Sequence, residues 1–161
     1  MIRIFTTGGT FDKVYYDALS DFKIGEPMIG PLLEEANVSF SYEIESLLKK
    51  DSLDIDDDDR DAIGKAVVQA VESQILITHG TDSMVDTARR LTDIENKTIV
   101  LLGAMQPARM RYSDAMFNLG VACAAVQILE PGIYIAMNGQ IFDPREVAKN
   151  RSQSRFEKLD D

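Results

Sequence analysis

The sequence predicts an α/β fold, an open, mainly parallel sheet with helices on both faces. Three observations carry this expectation. Short apolar runs recur along the chain, and segments of helical period separate them. The runs are also apolar almost throughout rather than alternating, as strands buried on both sides are. Such a three-layer, Rossmann/flavodoxin-like sheet holds ligands at the carboxyl ends of its strands, near a change in strand order.

The first strand is "IRIFT" (2–6), which runs into the glycine-rich "TTGGTF". "VSFSYEIES" (38–46) alternates apolar and polar residues as a second strand would. Within 56–73, Ile63, Ala66, Val67, Ala70 and Val71 recur at helical spacing and form one apolar stripe. "QILIT" (74–78), "TIVLLG" (98–103) and "GIYIAM" (132–137) are further strands, each preceded by a helical segment. Ser83 followed by Asp86 has the spacing of a capping box at a helix start. In "MNGQIF", Asn138-Gly139 is a type I′ turn signal, which predicts a C-terminal β-hairpin. The tail "DPREVAKNRSQSRFEKLDD" is polar and partly basic, a surface appendage or a contact for another subunit. Neither repeats nor linkers interrupt the pattern, so one domain over 1–161 is expected.

Of the 161 residues, 45% are hydrophobic and 27% charged, ordinary for a soluble globular protein. A formal net charge of −10 argues against nucleic acid, whose phosphates need a basic surface. Much of the acid excess sits in "DIDDDDRD" (54–61). That cluster lacks the glycine and terminal glutamate of a calcium loop and suits a helix N-terminus. No run approaches the length of a bilayer span, and "MIRIFTTGG" lacks a signal-peptide layout, so a cytoplasmic location is expected. The single cysteine, Cys123, lies in an apolar run and reads as a buried, inert thiol.

Three strands end in unusual residues: "TTGGT", "THGTDS" and "GAMQPARMRYSD". "TTGGT" matches neither phosphate-loop pattern. Its paired glycines let backbone amides approach a ligand. Thr10 is either a turn residue or a hydroxyl nucleophile. His79 reads as a packing residue or a base. Helix capping does not require Thr81 and Asp82 ahead of Ser83, and together they suit a small zwitterion at a helix end.

"TGGTF" (7–11), "HGTDSM" (79–84), "GAMQP" (103–107) and "SDAMFNL" (113–119) together resemble the bacterial-type L-asparaginase family, in the family's order and at compatible separations. The chain resembles a short, single-domain form lacking the second domain. Two departures stand out: Gln106 replaces a frequent arginine, and Ala115-Met116 replaces the usual glycine-proline.

The resemblance implies hydrolysis of asparagine to aspartate and ammonia through a threonine acyl-enzyme, with no metal or organic cofactor. It implies that Thr10 is the nucleophile, that Thr81 and Asp82 act with it, and that Lys97 completes their cluster. Tyr15 or Tyr16 would be the loop tyrosine serving Thr10. Asp51 and Ser52 would bind the substrate carboxylate. The backbone amides near Gly80 and Ala104 would hold the oxyanion. Ser113-Asp114 would cap a helix, with Asp114 supporting the loop from Gly103. The expected partner is the small-molecule substrate, with no nucleic acid and no membrane. Arg145, Lys149 and Arg151 are expected to pack on a neighbour, completing the site across a homo-oligomer interface. The alternatives are glutaminase or mixed activity, a non-catalytic amino-acid-binding domain, or one piece of an ammonia-supplying amidotransferase.

Overall fold

The computed structural model describes residues 1–159. Six strands form one sheet: β1 (Ile2–Gly8), β4 (Tyr42–Lys50), β5 (Gln74–Thr78), β6 (Thr98–Leu102), β7 (Gly132–Met137) and β8 (Gln140–Phe142). Their spatial order is β4-β1-β5-β6-β7-β8, parallel except for β8. The chain leaves β1 for one side to make β4, then returns to the other side for β5. That reversal opens a crevice at the carboxyl ends of β1 and β5.

The helices are α1 (Ile29–Glu35), α2 (Asp57–Gln69), α3 (Met84–Arg90) and α4 (Ala115–Ile128). Two apolar cores confirm the three-layer expectation. One packs Ile4, Leu76 and Val100 against Leu32 of α1 and Leu119, Ala122 and Val126 of α4. The other packs Phe5, Ile77 and Leu101 against Ile63 and Val67 of α2 and Ala88 of α3. Alternate residues of each strand supply opposite cores, which is why these strands read as continuous apolar runs.

Several boundaries differ from expectation. The second strand starts at Tyr42 rather than Val38 and extends to Lys50. It is an edge strand, and its Glu and Lys residues protect that edge. Helix α2 ends at Gln69, leaving Val71 91% exposed, so Ala70 and Val71 lie beyond the helix. Its N-terminus carries a capping box between Asp56 and Asp59, and Lys50 Nζ pairs with Asp59 at 2.7 Å. The expected turn between β7 and β8 is present, with φ of 54° at Asn138 and 74° at Gly139. The hairpin of β2 (Lys13–Tyr16) with β3 (Asp21–Ile24) was not foreseen, whereas a C-terminal hairpin is also present in β9 (Val147–Asn150) with β10 (Arg155–Lys158). Among the described residues, no helix is long and apolar enough to cross a membrane.

Candidate active site

The loops after β1, β4, β5 and β6 meet at the switch point. Gly9 follows β1 at φ 76°, and Gly9 N donates to Lys50 O at 2.9 Å. A Cβ on Gly9 would lie 2.4 Å from Gly80 Cα, and one on Gly80 would lie 2.5 Å from Ser52 Cβ. Such distances exclude any side chain at either position, so Gly9 meets Gly80 backbone to backbone and Gly80 in turn packs against the Ser52 side chain. Each glycine directly precedes a threonine, Thr10 in one loop and Thr81 in the other. Behind them, a Cβ on Gly103 would lie 2.4 Å from His79 O, and the buried Ala104 follows.

Thr81 is buried, and its Oγ1 accepts a hydrogen bond from Lys149 Nζ at 2.7 Å. The same ammonium donates to Asp82 Oδ1 at 2.9 Å, and Arg151 Nε donates to that oxygen at 3.2 Å. Burial pushes the Asp82 carboxyl up, but the bonds from Lys149 and Arg151 outweigh it and hold the group below the ordinary carboxylate range. Ser52 Oγ accepts from Asp82 N at 3.2 Å, tying the β4 loop to this cluster. Ser83 stands at the α3 N-cap position without capping it, because its hydroxyl donates to Ser52 O.

Lys97 does not join this cluster, which corrects the expectation from the sequence. Its Nζ donates to Ala70 O at 2.6 Å and Glu72 O at 2.8 Å, just beyond the C-terminus of α2. Lys97 precedes β6, whereas Thr81 follows β5, and in a parallel sheet strand starts and strand ends lie on opposite edges. A five-residue strand separates those edges by roughly 16 Å. The lysine at Thr81 is Lys149, which the sequence led us to expect in a tail packed against a neighbouring subunit. Lys149 and Arg151 bond Asp82 of their own chain, and Arg145 pairs with Asp143 at 2.5 Å. The signal for Lys149 lay in the hairpin turn at Asn138-Gly139. That turn sends β8 back across the sheet, so the next segment, β9, can return to the ligand-binding edge.

Thr10 is half-buried and opens a 3₁₀ turn, Thr10–Asp12, directly ahead of the β2–β3 hairpin. The base of the hairpin is anchored on several sides. Gly25 N donates to Asp12 O at 2.9 Å, Arg109 donates to Asp12 O and Glu26 O at 3.1 Å each, and Lys13 Nζ lies 2.8 Å from Asp51 Oδ2. Burial raises the Asp51 carboxyl, yet Lys13 and the Leu53 N–H together lower it below the usual range. Burial pushes the Asp12 carboxyl up to about 6, against the Met28 N–H it accepts at 2.8 Å and the charge of Arg109. Tyr15 and Tyr16 are both about half exposed. Tyr15 stacks edge-on with Phe22 at 5.4 Å, and Lys23 sits over the Tyr16 ring at 4.5 Å.

The supporting shell is buried and polar. His79 Nδ1 donates to Gly80 O at 2.8 Å, since a carbonyl can only accept, so Nε2 accepts from Thr87 Oγ1 at 2.8 Å. Desolvation pushes the ring down to about 4, so it is neutral at ordinary pH. The Asp114 carboxylate accepts from Met105 N and Gln106 N, and Asn118 Nδ2 donates to Gly103 O at 3.0 Å. These bonds hold the loop after β6 in place. Cys123 is buried away from the site, and burial raises its thiol to about 11. Among the described residues, no cluster of three or more His, Cys, Asp or Glu side chains could hold a metal ion.

This sheet order and site define the class of protein: the chain belongs to the family described as Asparaginase, N-terminal, which matches residues 1–158. The chain is 32% identical over 159 residues to the probable periplasmic L-asparaginase of Haemophilus influenzae, covering 92% of this chain and 46% of that protein. It is 29% identical over 163 residues to the glutaminase-asparaginase of Pseudomonas fluorescens biotype A, covering 92% of this chain and 45% of that one. The structure of the thermostable L-asparaginase from Thermococcus kodakarensis superimposes with a TM-score of 0.84 at 28% identity, over 98% of this chain and 50% of that chain. The chain thus spans about half the length of the relatives it matches.

Proposed function

We propose that this site hydrolyses the side-chain amide of L-asparagine to L-aspartate and ammonia, through an acyl-enzyme on Thr10. One observation carries the reading. The loop presenting Thr10 abuts, backbone to backbone, the loop presenting a Thr81 hydroxyl held by Lys149. The Thr10 oxygen attacks the amide carbon, an ester forms on Thr10, and the C–N bond breaks. Because Thr81 Oγ1 accepts from Lys149, its own O–H is free to point at the leaving nitrogen, with Lys149 behind it to replace that proton. The proton Thr10 releases balances the one delivered, so ammonia departs and the Lys149–Thr81 pair ends as it began. Water then adds to the ester, a proton returns to Thr10, and aspartate leaves.

Asp82 would hold the substrate ammonium, Asp51 and Ser52 would flank its carboxylate, and the Gly80 and Ala104 amides would face the oxyanion. Tyr15 or Tyr16 would relay the Thr10 proton, releasing its own hydroxyl proton toward Lys149 as it accepts the one from Thr10, once the hairpin carries it inward. Glutamine is the second reading, favoured by the double activity in the name of the Pseudomonas fluorescens relative. One extra methylene changes discrimination by only about 1–3 kcal/mol.

The test is ammonia release from asparagine and glutamine by the wild type, Thr10→Ala and Thr81→Ala. Each substitution is expected to lower kcat by about a thousandfold or more while the protein stays folded. Equal release by wild type and Thr10→Ala would end the reading.

A further inference from the structure

Resting on that reading, one arginine outside the reacting groups bears on how Thr10 is aimed. The β2–β3 hairpin departs at Asp12, two residues after Thr10, and the chain returns from it through Gly25 and Glu26. The outer half of the hairpin projects from the body of the protein. Tyr15, Tyr16, Leu19 and Phe22 are between 39% and 59% exposed, and none of them packs into either apolar core. The direction of such a projecting element is set at its base.

Arg109 reaches that base from the loop after β6. Its Nη1 donates to Asp12 O and its Nη2 to Glu26 O, each at 3.1 Å. A Cβ on Gly25 would lie 3.3 Å from the same Nη1, so the guanidinium also lies against Gly25. Among the described residues, no other side chain donates to both Asp12 and Glu26. The rigid fork of a guanidinium suits two carbonyls at once, which a single ammonium point charge does not.

The grip extends to the nucleophile. Asp12 closes the 3₁₀ turn that Thr10 opens, and Asp12 N donates to Gly9 O at 3.2 Å. The loop carrying Arg109 also carries Ala104, and its Ala108 N donates to Phe11 O at 3.1 Å. One guanidinium therefore ties the turn presenting Thr10 to the loop whose amide would face the oxyanion. Misplacing a reacting group by about 1 Å can cost a hundredfold in rate.

We propose that Arg109 is a positioning residue, which clamps both ends of the β2–β3 hairpin and thereby fixes the Thr10 turn and the path of the hairpin over it. Arg109 acts through Asp12 and Glu26 and does not touch the substrate. Its side chain is exposed, so replacing it empties no core.

The test measures ammonia release, resolving kcat from KM, beside tryptic cleavage after Lys23 in the wild type, Arg109→Met and Arg109→Lys. Lys23 lies inside β3, where cleavage requires the hairpin to open. Arg109→Met should lower kcat by about tenfold to a hundredfold and leave KM within about threefold. Cleavage after Lys23 should become about tenfold faster while the urea midpoint of the whole protein stays in place. Arg109→Lys keeps the charge but not the fork, and it should lie closer to Arg109→Met than to the wild type. If the wild type releases no ammonia from asparagine or glutamine, the amidohydrolase reading fails, and faster cleavage in Arg109→Met still supports the clamp. Cleavage of Arg109→Met within about twofold of the wild type overturns the proposal, as does an unchanged kcat or an Arg109→Lys variant with wild-type kcat.

Discussion

Lys149 Nζ donates to Thr81 Oγ1 across 2.7 Å, joining positions 68 residues apart. The contact depends on three strands running in the right directions. Strand β5 delivers Thr81 to the ligand-binding edge, β8 carries the chain away from it, and β9 brings Lys149 back. The same carboxylate, Asp82, receives Lys149 and Arg151, so a single short hairpin supplies every cation that touches it.

The lysine assignment is open to direct comparison. Lys149→Met should lower kcat for ammonia release by about a hundredfold or more, the scale of a positioned proton donor. Lys97→Met should leave kcat/KM essentially unchanged. It should instead cost about 1–3 kcal/mol in urea unfolding, because its bonds to Ala70 O and Glu72 O are charge-assisted and close a helix end. Reversed effects would restore Lys97 to the site.

The loop contact makes a second pair of substitutions informative. Gly9→Ala forces a methyl to within 2.4 Å of Gly80 Cα at a φ of 76°. It should destabilise the fold by about 2 kcal/mol or more and abolish ammonia release at temperatures where circular dichroism still reports a folded protein. Gly120→Ala, inside α4 with nothing within 4 Å, should stabilise by about 0.5–1 kcal/mol and leave activity intact.

Asp12 predicts an unusual pH response. Its folded carboxyl titrates at about 6, above the ordinary value of 3.8, so the folded state holds this proton more tightly than the unfolded chain. Its stabilising contribution is complete below pH 3.8 and is lost as pH rises through 6. Asp12→Asn keeps an acceptor for Met28 N and removes the charge. Relative to wild type, it should gain roughly 3 kcal/mol between pH 4 and pH 7 in parallel urea titrations. A difference that does not vary with pH would remove the buried charge from the account.

His79 works in the opposite sense. Its folded ring titrates at about 4 against an ordinary 6.5, so the unfolded chain takes up the proton first on acidification. The stability this residue contributes is complete above pH 6.5 and is lost as pH falls to 4. His79→Asn, which retains a donor for Gly80 O, will be less stable at pH 7. Its deficit should shrink by roughly 3 kcal/mol by pH 4, measured by the same titrations. Because Asp12 and His79 titrate over overlapping ranges with opposite signs, their contributions nearly cancel in the wild type, and each variant uncovers the other.

Much of the site's scaffold was legible locally. Runs such as "QILIT" and "GIYIAM" are apolar on both faces because both faces are buried, and their bounds coincide with β5 and β7. The β2–β3 hairpin and the strand bounds of β9 and β10 were not legible, since short strands of mixed polarity carry no clean period. The misplacement of Lys97 had a remedy in the sequence itself. Once the sheet is read as parallel, a residue before a strand cannot meet a residue after its neighbour.

By itself the sequence determined the parallel three-layer sheet and the edge on which the loops bearing Thr10, Ser52, Thr81 and Ala104 emerge. Hydrophobic period and glycine placement are local properties, written into each segment. The tertiary structure alone decided which cations reach Asp82, that Asp12 is buried with a raised carboxyl, and that Ser83 bonds Ser52 instead of capping its helix. Those outcomes depend on distances between residues far apart in the chain, and only the completed path of the backbone through the sheet fixes such distances.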